Sequence, residues 1–206
     1  SINPQTMEDH VLRACGRPHK AADVVRAYGE AVSAGFKAIN MDLIAGLPGE
    51  DLKMFEETLR WSHDLSPESL TIHSLSIKRS SILHLQDVPL PDGQMTAEMT
   101  RMGQQAALSR GMKPYYLYRQ KYMAGHQENV GYALPGHACL YNIDMMEETG
   151  TVLAVGAGAI SKRVLPEKGH IERAPNVSDI CHYISRIPEM VERKRTVFTA
   201  DWSHFQ

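Results

Sequence analysis

Apolar and polar positions recur with two different periods along this chain. Around Ile39, Met41 and Leu43 the apolar residues alternate with Asn40 and Asp42. That is the period of a strand, whose successive side chains point to opposite faces, and it predicts a strand over 37–44. Residues 1–6 read as the end of an earlier strand leading into a loop. From Ala22 to Ala34, Val24, Val25, Tyr28, Ala31 and Val32 form a helical stripe with Gly35 as its stop. A second helix is predicted over Asp51–Asp64, with Leu52, Phe55, Leu59 and Trp61 apolar. A third spans Asp92–Arg110, with Met95, Met99, Met102 and Ala106 on one side and Gly111 after it. Strands are predicted near Ser69–Ser76 and Pro114–Arg119. Strands alternating with helices imply an α/β fold, a parallel sheet under covering helices.

The pattern changes after Arg119. Residues 120–138 hold three glycines and a proline without a clear period and read as a long functional loop. Short strands are predicted near 141–147 and 151–155, followed by the glycine-rich turn Gly156-Ala157-Gly158-Ala159-Ile160-Ser161. A helix is predicted over 178–195, with Ile180, Tyr183, Ile184, Ile187 and Val191 apolar and Pro188 placed to interrupt it. The division expected is 1–119 and 120–206. No internal repeat or low-complexity segment occurs.

At 206 residues, 43% hydrophobic and 22% charged, the composition is that of an ordinary globular chain. The net charge of −2 gives no general attraction to nucleic acid or to an anionic membrane surface, and no apolar run is long enough to span a bilayer. The start, Ser1-Ile2-Asn3-Pro4, has neither an initiator Met nor a signal-peptide core. The expectation is a cytoplasmic chain excised from something longer. Cys15, Cys139 and Cys181 are too far apart for a metal-binding pair and read as reduced, structural thiols, small buried hydrophobes.

Asp42 is the foremost candidate for chemistry. Strand parity turns it and Asn40 away from the apolar face, toward the interior if the sheet closes. The C-terminal strand ends of such barrels hold their active sites. A buried carboxylate needs polar company, and a ligand with hydroxyl groups would supply it. Arg119 and Lys121 begin the long loop directly after a strand. They read either as solvated cations or as anchors for an acidic substrate, Arg by a fork and Lys as a point charge. His73 reads as a core or rim histidine rather than a metal ligand. Tyr115, Tyr116 and Tyr118 read as strand residues with one wet face. Gly156-Ala157-Gly158 lacks the third small residue and the helix of a dinucleotide fingerprint. It reads as a backbone approached closely by a ligand or another strand, or as a tight turn alone.

Asn40-Met41-Asp42-Leu43-Ile44-Ala45-Gly46-Leu47-Pro48-Gly49-Glu50 resembles the strand-turn signature of radical S-adenosylmethionine (SAM) enzymes. The opening Ser1-Ile2-Asn3-Pro4-Gln5-Thr6-Met7, with Gly16-Arg17-Pro18-His19, narrows the resemblance to the oxygen-independent coproporphyrinogen III oxidase group. Tyr115 to Lys121, Glu128 to Tyr132 and Gly156 to Lys162 look like its coproporphyrinogen dehydrogenase branch, so the resemblance spans nearly the whole chain. It implies the C-terminal part of a partial (β/α)6 radical SAM barrel with a small C-terminal α+β extension. It also implies that SAM lies across the strand ends. Carried onto this sequence, Gln5, Arg17, Asp42, Ser76 and Ile160 would contact SAM, Asp42 through the ribose hydroxyls. Ser76 stands where relatives often have alanine.

The family also binds a [4Fe–4S] cluster through a cysteine triplet. None occurs here, so the triplet is expected upstream and this piece alone is expected to be inactive. The activity implied for the intact protein is oxidative decarboxylation of coproporphyrinogen III propionates to vinyls. A flavodoxin or ferredoxin would donate electrons, and Arg119 and Lys121 would hold substrate carboxylates. The competing implication is a haem-binding or haem-transfer protein of the same architecture, with His73, His126 and Cys139 available as axial ligands. A barrel enzyme acting on a phosphorylated substrate is a third possibility.

Overall fold

A computed structural model describes residues 1–76, 92–119, 127–165, 167 and 169–199. Two compact units, 1–139 and 140–206, follow one another along the chain. The first contains β1 (Ile2–Gln5), α1 (Asp9–Ala14), α2 (Ala21–Ser33), β2 (Asn40–Ala45), α3 (Leu52–Leu65), β3 (Ser69–Ser74), α4 (Gly93–Ser109), β4 (Lys113–Tyr118) and β5 (Asn129–Ala133). Its five strands lie in the order β1-β2-β3-β5-β4.

β1, β2 and β3 are parallel, as the helix–strand alternation predicts. β4 does not pair with β3. Residues 129–133, read as part of a loop, form β5, which inserts antiparallel to both. The sheet therefore includes residues assigned by sequence to the 120–206 portion. A strand's partners are set by long-range register, which local periodicity does not report.

The predicted parity of β2 holds. Met41, Leu43 and Ala45 are buried, while Asn40, Asp42 and Ile44 on the other face are half-buried. Met41, Leu43, Leu70 and Ile72 pack against Val24 and Tyr28 of α2, Phe55 and Leu59 of α3, and Met99 and Ala107 of α4. Each large apolar side chain buried here contributes about 1.5–3 kcal/mol. α3 begins on Asp51, whose carboxylate accepts the Met54 N–H at 2.9 Å. α4 approaches β3 closely at Gly103, where a Cβ would sit 2.9 Å from the Ile72 side chain. Trp61 lies off the α3 stripe and is exposed, because Leu52, Phe55, Leu59 and Ser62 already define the inward face.

The second unit contains α5 (Leu140–Met146), β6 (Ile160–Leu165), β7 (His170–Pro175), α6 (Ile180–Ser185) and α7 (Ile187–Thr199). The strand expected near 141–147 is the helix α5. Leucine and methionine favour helix, and no strand lies there to pair with. The strand expected at 151–155 is only an isolated bridge, Val152 with Lys162, because β6 takes β7 as its partner. The helix expected over 178–195 breaks at Arg186, with Pro188 in the first turn of α7, where its missing N–H is tolerated. Cys139 and Cys181 are exposed rather than buried, one just before α5 and the other on the solvent side of α6; Cys15 is half-buried.

Candidate functional site

The polar face of the first sheet gathers Asn40 and Asp42 from β2, Thr71 and His73 from β3, and Tyr116 and Tyr118 from β4. Asp42 is its centre. Asn40 Nδ2 donates to Asp42 Oδ1 at 2.6 Å, and His73 Nε2 faces the same oxygen at 3.7 Å, longer than a hydrogen bond. Ser1 Oγ approaches Oδ2 at 3.4 Å. With its amide turned so that nitrogen faces the carboxylate, Asn3 donates to Oδ2 at 2.8 Å. Burial pushes the Asp42 carboxyl up, but the His73 ring, Asn40 and Thr71 together outweigh it and hold the group below the usual carboxylate range. Asp42 is thus an anion on a half-buried surface.

β5 separates β4 from β3, yet both tyrosines reach across it. Tyr118 Oη lies 3.1 Å from His73 Nδ1, and Tyr116 Oη lies 3.4 Å from Thr71 Oγ1. Thr71 in turn donates to Asn40 Oδ1 at 3.2 Å. The crossing depends on Gly131 of β5, where a Cβ would fall 1.9 Å from the Tyr116 ring. The Tyr116 and Tyr118 rings stack at 6.2 Å and 8°. Burial, with Asp42 and neighbouring phenols adding to it, pushes Tyr116 up to about 12; burial and then Asp42 raise Tyr118 as well. Both phenols keep their protons at neutral pH. Reading these tyrosines as strand residues misses their place in the site. The signal available in the sequence is Tyr116 and Tyr118 on one strand face, together with Gly131.

The other sequence candidates are dispersed. Gln5 is buried and takes a left-handed backbone (φ 66°) where the register with β2 shifts. For a residue with a Cβ this costs about 1 kcal/mol or more and marks a position held by its surroundings. Arg17 is exposed after α1, its N–H bonded to Leu12 C=O. Ser76 is half-buried just beyond β3. Arg119 is exposed and donates to Glu128 Oε1 at 3.0 Å. Lys121 and His126 lie outside the described residues. Ile160 opens β6 of the second unit and is exposed. The turn before it is tied within that unit, since Asn176 Nδ2 donates to Gly156 C=O at 2.7 Å and the Gly156 N–H donates to Tyr183 Oη at 3.0 Å. A strand, not a helix, follows that turn, which disposes of the dinucleotide reading.

The sequence reading also passes over Glu50. Its side chain is buried, Thr6 Oγ1 donates to Oε1 at 2.6 Å, and Oε2 has no partner. Burial above all, with Glu8 and Asp51 adding and Thr6 opposing, pushes it up to about 8.

The chemistry of the donor set around Asp42 fits a ribose. An anionic carboxylate exposes an edge whose present donors, Asn3 and Ser1, two hydroxyls could replace. It does not fit an iron–sulfur cluster, because among the described residues no three His, Cys, Asp or Glu side chains are grouped to hold a metal.

The chain is similar to known proteins in sequence and in fold. The profile of the Radical SAM superfamily matches residues 1–62. The chain is similar to the oxygen-independent coproporphyrinogen-III oxidase-like protein HemZ of Bacillus subtilis, 39% identical over 196 residues, which is 94% of this chain and 39% of that protein. It is also similar to the heme chaperone HemW of Haemophilus influenzae, 30% identical over 173 residues, 84% of this chain and 42% of the relative. The chain spans about two fifths of the length of these relatives. In fold it is similar to the coproporphyrinogen III oxidase HemN of Escherichia coli, described as a radical SAM enzyme. The TM-score is 0.66 at 17% identity, covering 91% of this chain and 42% of that one.

Proposed function

We propose, from the premise that this chain belongs to the coproporphyrinogen III oxidase-like family of the radical SAM superfamily, that it forms the SAM-binding and substrate-facing portion of a protein that decarboxylates coproporphyrinogen III oxidatively. The observation that carries the reading is Asp42, held anionic on the polar sheet face. When bound, SAM supplies the one-electron chemistry after which the superfamily is called. The residues of this chain bind and orient. Asp42 accepts hydrogen bonds from the ribose hydroxyls. Gln5, at the strained end of β1, and Arg17 and Ser76 add contacts from the first unit in this reading. Arg119 exchanges its exposed partner Glu128 for a substrate propionate; such surface pairs are worth little, about 0–1 kcal/mol. Lys121 supplies a second cation. The cluster and the electron donor belong to the whole protein, and the residues described here assign neither.

Similarity to heme chaperones supports a second reading, that the whole protein binds haem instead. Two measurements on the full-length protein separate the readings. SAM binding by calorimetry should weaken by about 1–3 kcal/mol in Asp42→Asn, the cost of losing a charged hydrogen-bond acceptor; unchanged affinity removes Asp42 from the site. Turnover of coproporphyrinogen III supports the enzyme. Tight haem binding without turnover supports the carrier.

A further inference from the structure

Asp42 is not held by its own strand alone. Oδ1 meets Asn40 at 2.6 Å and faces His73 at 3.7 Å, whereas among the described residues Oδ2 meets Ser1 and Asn3 at the β1 edge. The carboxylate therefore has a pinned oxygen and an exchangeable one. The far side of His73 is engaged too, since Tyr118 Oη lies 3.1 Å from Nδ1. With the phenol as donor, Nδ1 accepts and the proton on Nε2 faces Asp42, so one arrangement of the ring serves both contacts. The hydrogen bond at one ring nitrogen sets the state of the other. Tyr118 reaches His73 only by crossing β5, so three strands converge on one carboxylate.

We infer that His73 and Tyr118 are positioning residues: Tyr118 selects the His73 tautomer that pins Asp42 Oδ1, which leaves Oδ2 aimed at a vicinal diol of the ligand. The inference rests on the reading of Asp42 as the diol acceptor. Without the pin, Asp42 is free to turn both oxygens onto Asn40, Asn3 and Ser1. An oxygen already bonded within the protein rejects a missing ligand hydroxyl less strongly, because discrimination comes from the site group left unpaired. The pair thus acts on selectivity for the hydroxyl rather than on general affinity.

The test is calorimetry on the full-length protein with two probes, S-adenosylhomocysteine and its 2′-deoxy analogue. Neither needs turnover. The quantity read is the ratio of their dissociation constants, which a general loosening of the fold moves little, since it weakens both. The parent should favour the hydroxylated probe by about tenfold, the worth of a charge-assisted hydrogen bond. Tyr118→Phe, which loses one hydroxyl and keeps the stacked ring, and His73→Leu should both bring the ratio close to one. His73→Gln should retain most of it, because its amide nitrogen donates to Oδ1 in place of Nε2–H. Asp42→Asn should abolish it. If Asp42→Asn abolishes the ratio while Tyr118→Phe and His73→Leu preserve it, the positioning role is overturned and the diol site stands. If Asp42→Asn itself preserves the ratio, the diol site is overturned and the positioning role with it.

Discussion

Gly131 decides whether the two tyrosines can enter the site. β5 runs between β4 and β3, and any side chain at 131 occupies the path of the Tyr116 ring, 1.9 Å from its nearest carbon. A ring in a packed stack is not the free end of a flexible chain, so it has to move as a unit. Gly131→Ala should cost about 1–3 kcal/mol, the usual range for overpacking, measured as the shift in urea unfolding. It should also separate Tyr116 from Thr71 and expose its phenol. The Tyr116 titration, pushed up to about 12 by burial, should then move down toward the ordinary tyrosine range when followed by ultraviolet absorbance. An alanine variant with unchanged stability and unchanged phenol titration would show that the strand spacing relaxes around the methyl group.

Among the elements, the turn between β2 and α3 has a titratable group inside it. Glu50 stands immediately before the helix cap Asp51 and is tied to Thr6, which follows β1 and also lies 3.2 Å from Thr58 of α3. One buried carboxyl thus joins the ends of β1, β2 and α3. Its pKa rises from 4.5 to about 8 in the folded chain. The folded protein keeps a proton that the unfolded chain has already released, so stability falls as pH rises through that window and levels off above it. At about 1.4 kcal/mol per unit the upper bound is roughly 4–5 kcal/mol. Glu50→Gln removes the charge and keeps the shape. Its urea midpoint should stay level between about pH 5 and 9 where the parent's declines. A variant that declines as steeply as the parent would assign the effect to other groups.

Across the whole molecule, the cysteines are spread over both units: Cys15 and Cys139 in the first, Cys181 in the second. Cluster assembly requires several thiolates converging on one site, and the described residues offer no such group. Anaerobic treatment of this 206-residue chain with iron and sulfide should leave no stoichiometric [4Fe–4S] absorbance or electron paramagnetic resonance signal. A full cluster on this chain would contradict the expectation that its ligands lie elsewhere in the whole protein. Among the described residues no helix is long and apolar enough to cross a membrane.

What the sequence alone determined is what depends on neighbours a few residues apart. The alternation at 39–43 placed β2 and turned Asp42 to the polar face; the stripes, with glycine stops after α2 and α4, placed α2, α3 and α4 to within a residue or two; Pro188 marked the break between α6 and α7. The motif from Asn40 to Glu50 carried the family. Tertiary structure decided what depends on distant pairing. β5 between β3 and β4 could not be read from 120–138, because a short glycine-containing strand has little period of its own and acquires its place only through two partners. The helix α5 replaced an expected strand for want of a partner. His73 looked like a rim histidine and Tyr118 like an ordinary strand residue. They lie 45 positions apart, and only the register of an inserted antiparallel strand brings the phenol onto the imidazole and the imidazole toward Asp42. Local periodicity tells which face a side chain takes. Which side chains share that face is settled by sheet order, and sheet order is a property of the folded chain as a whole.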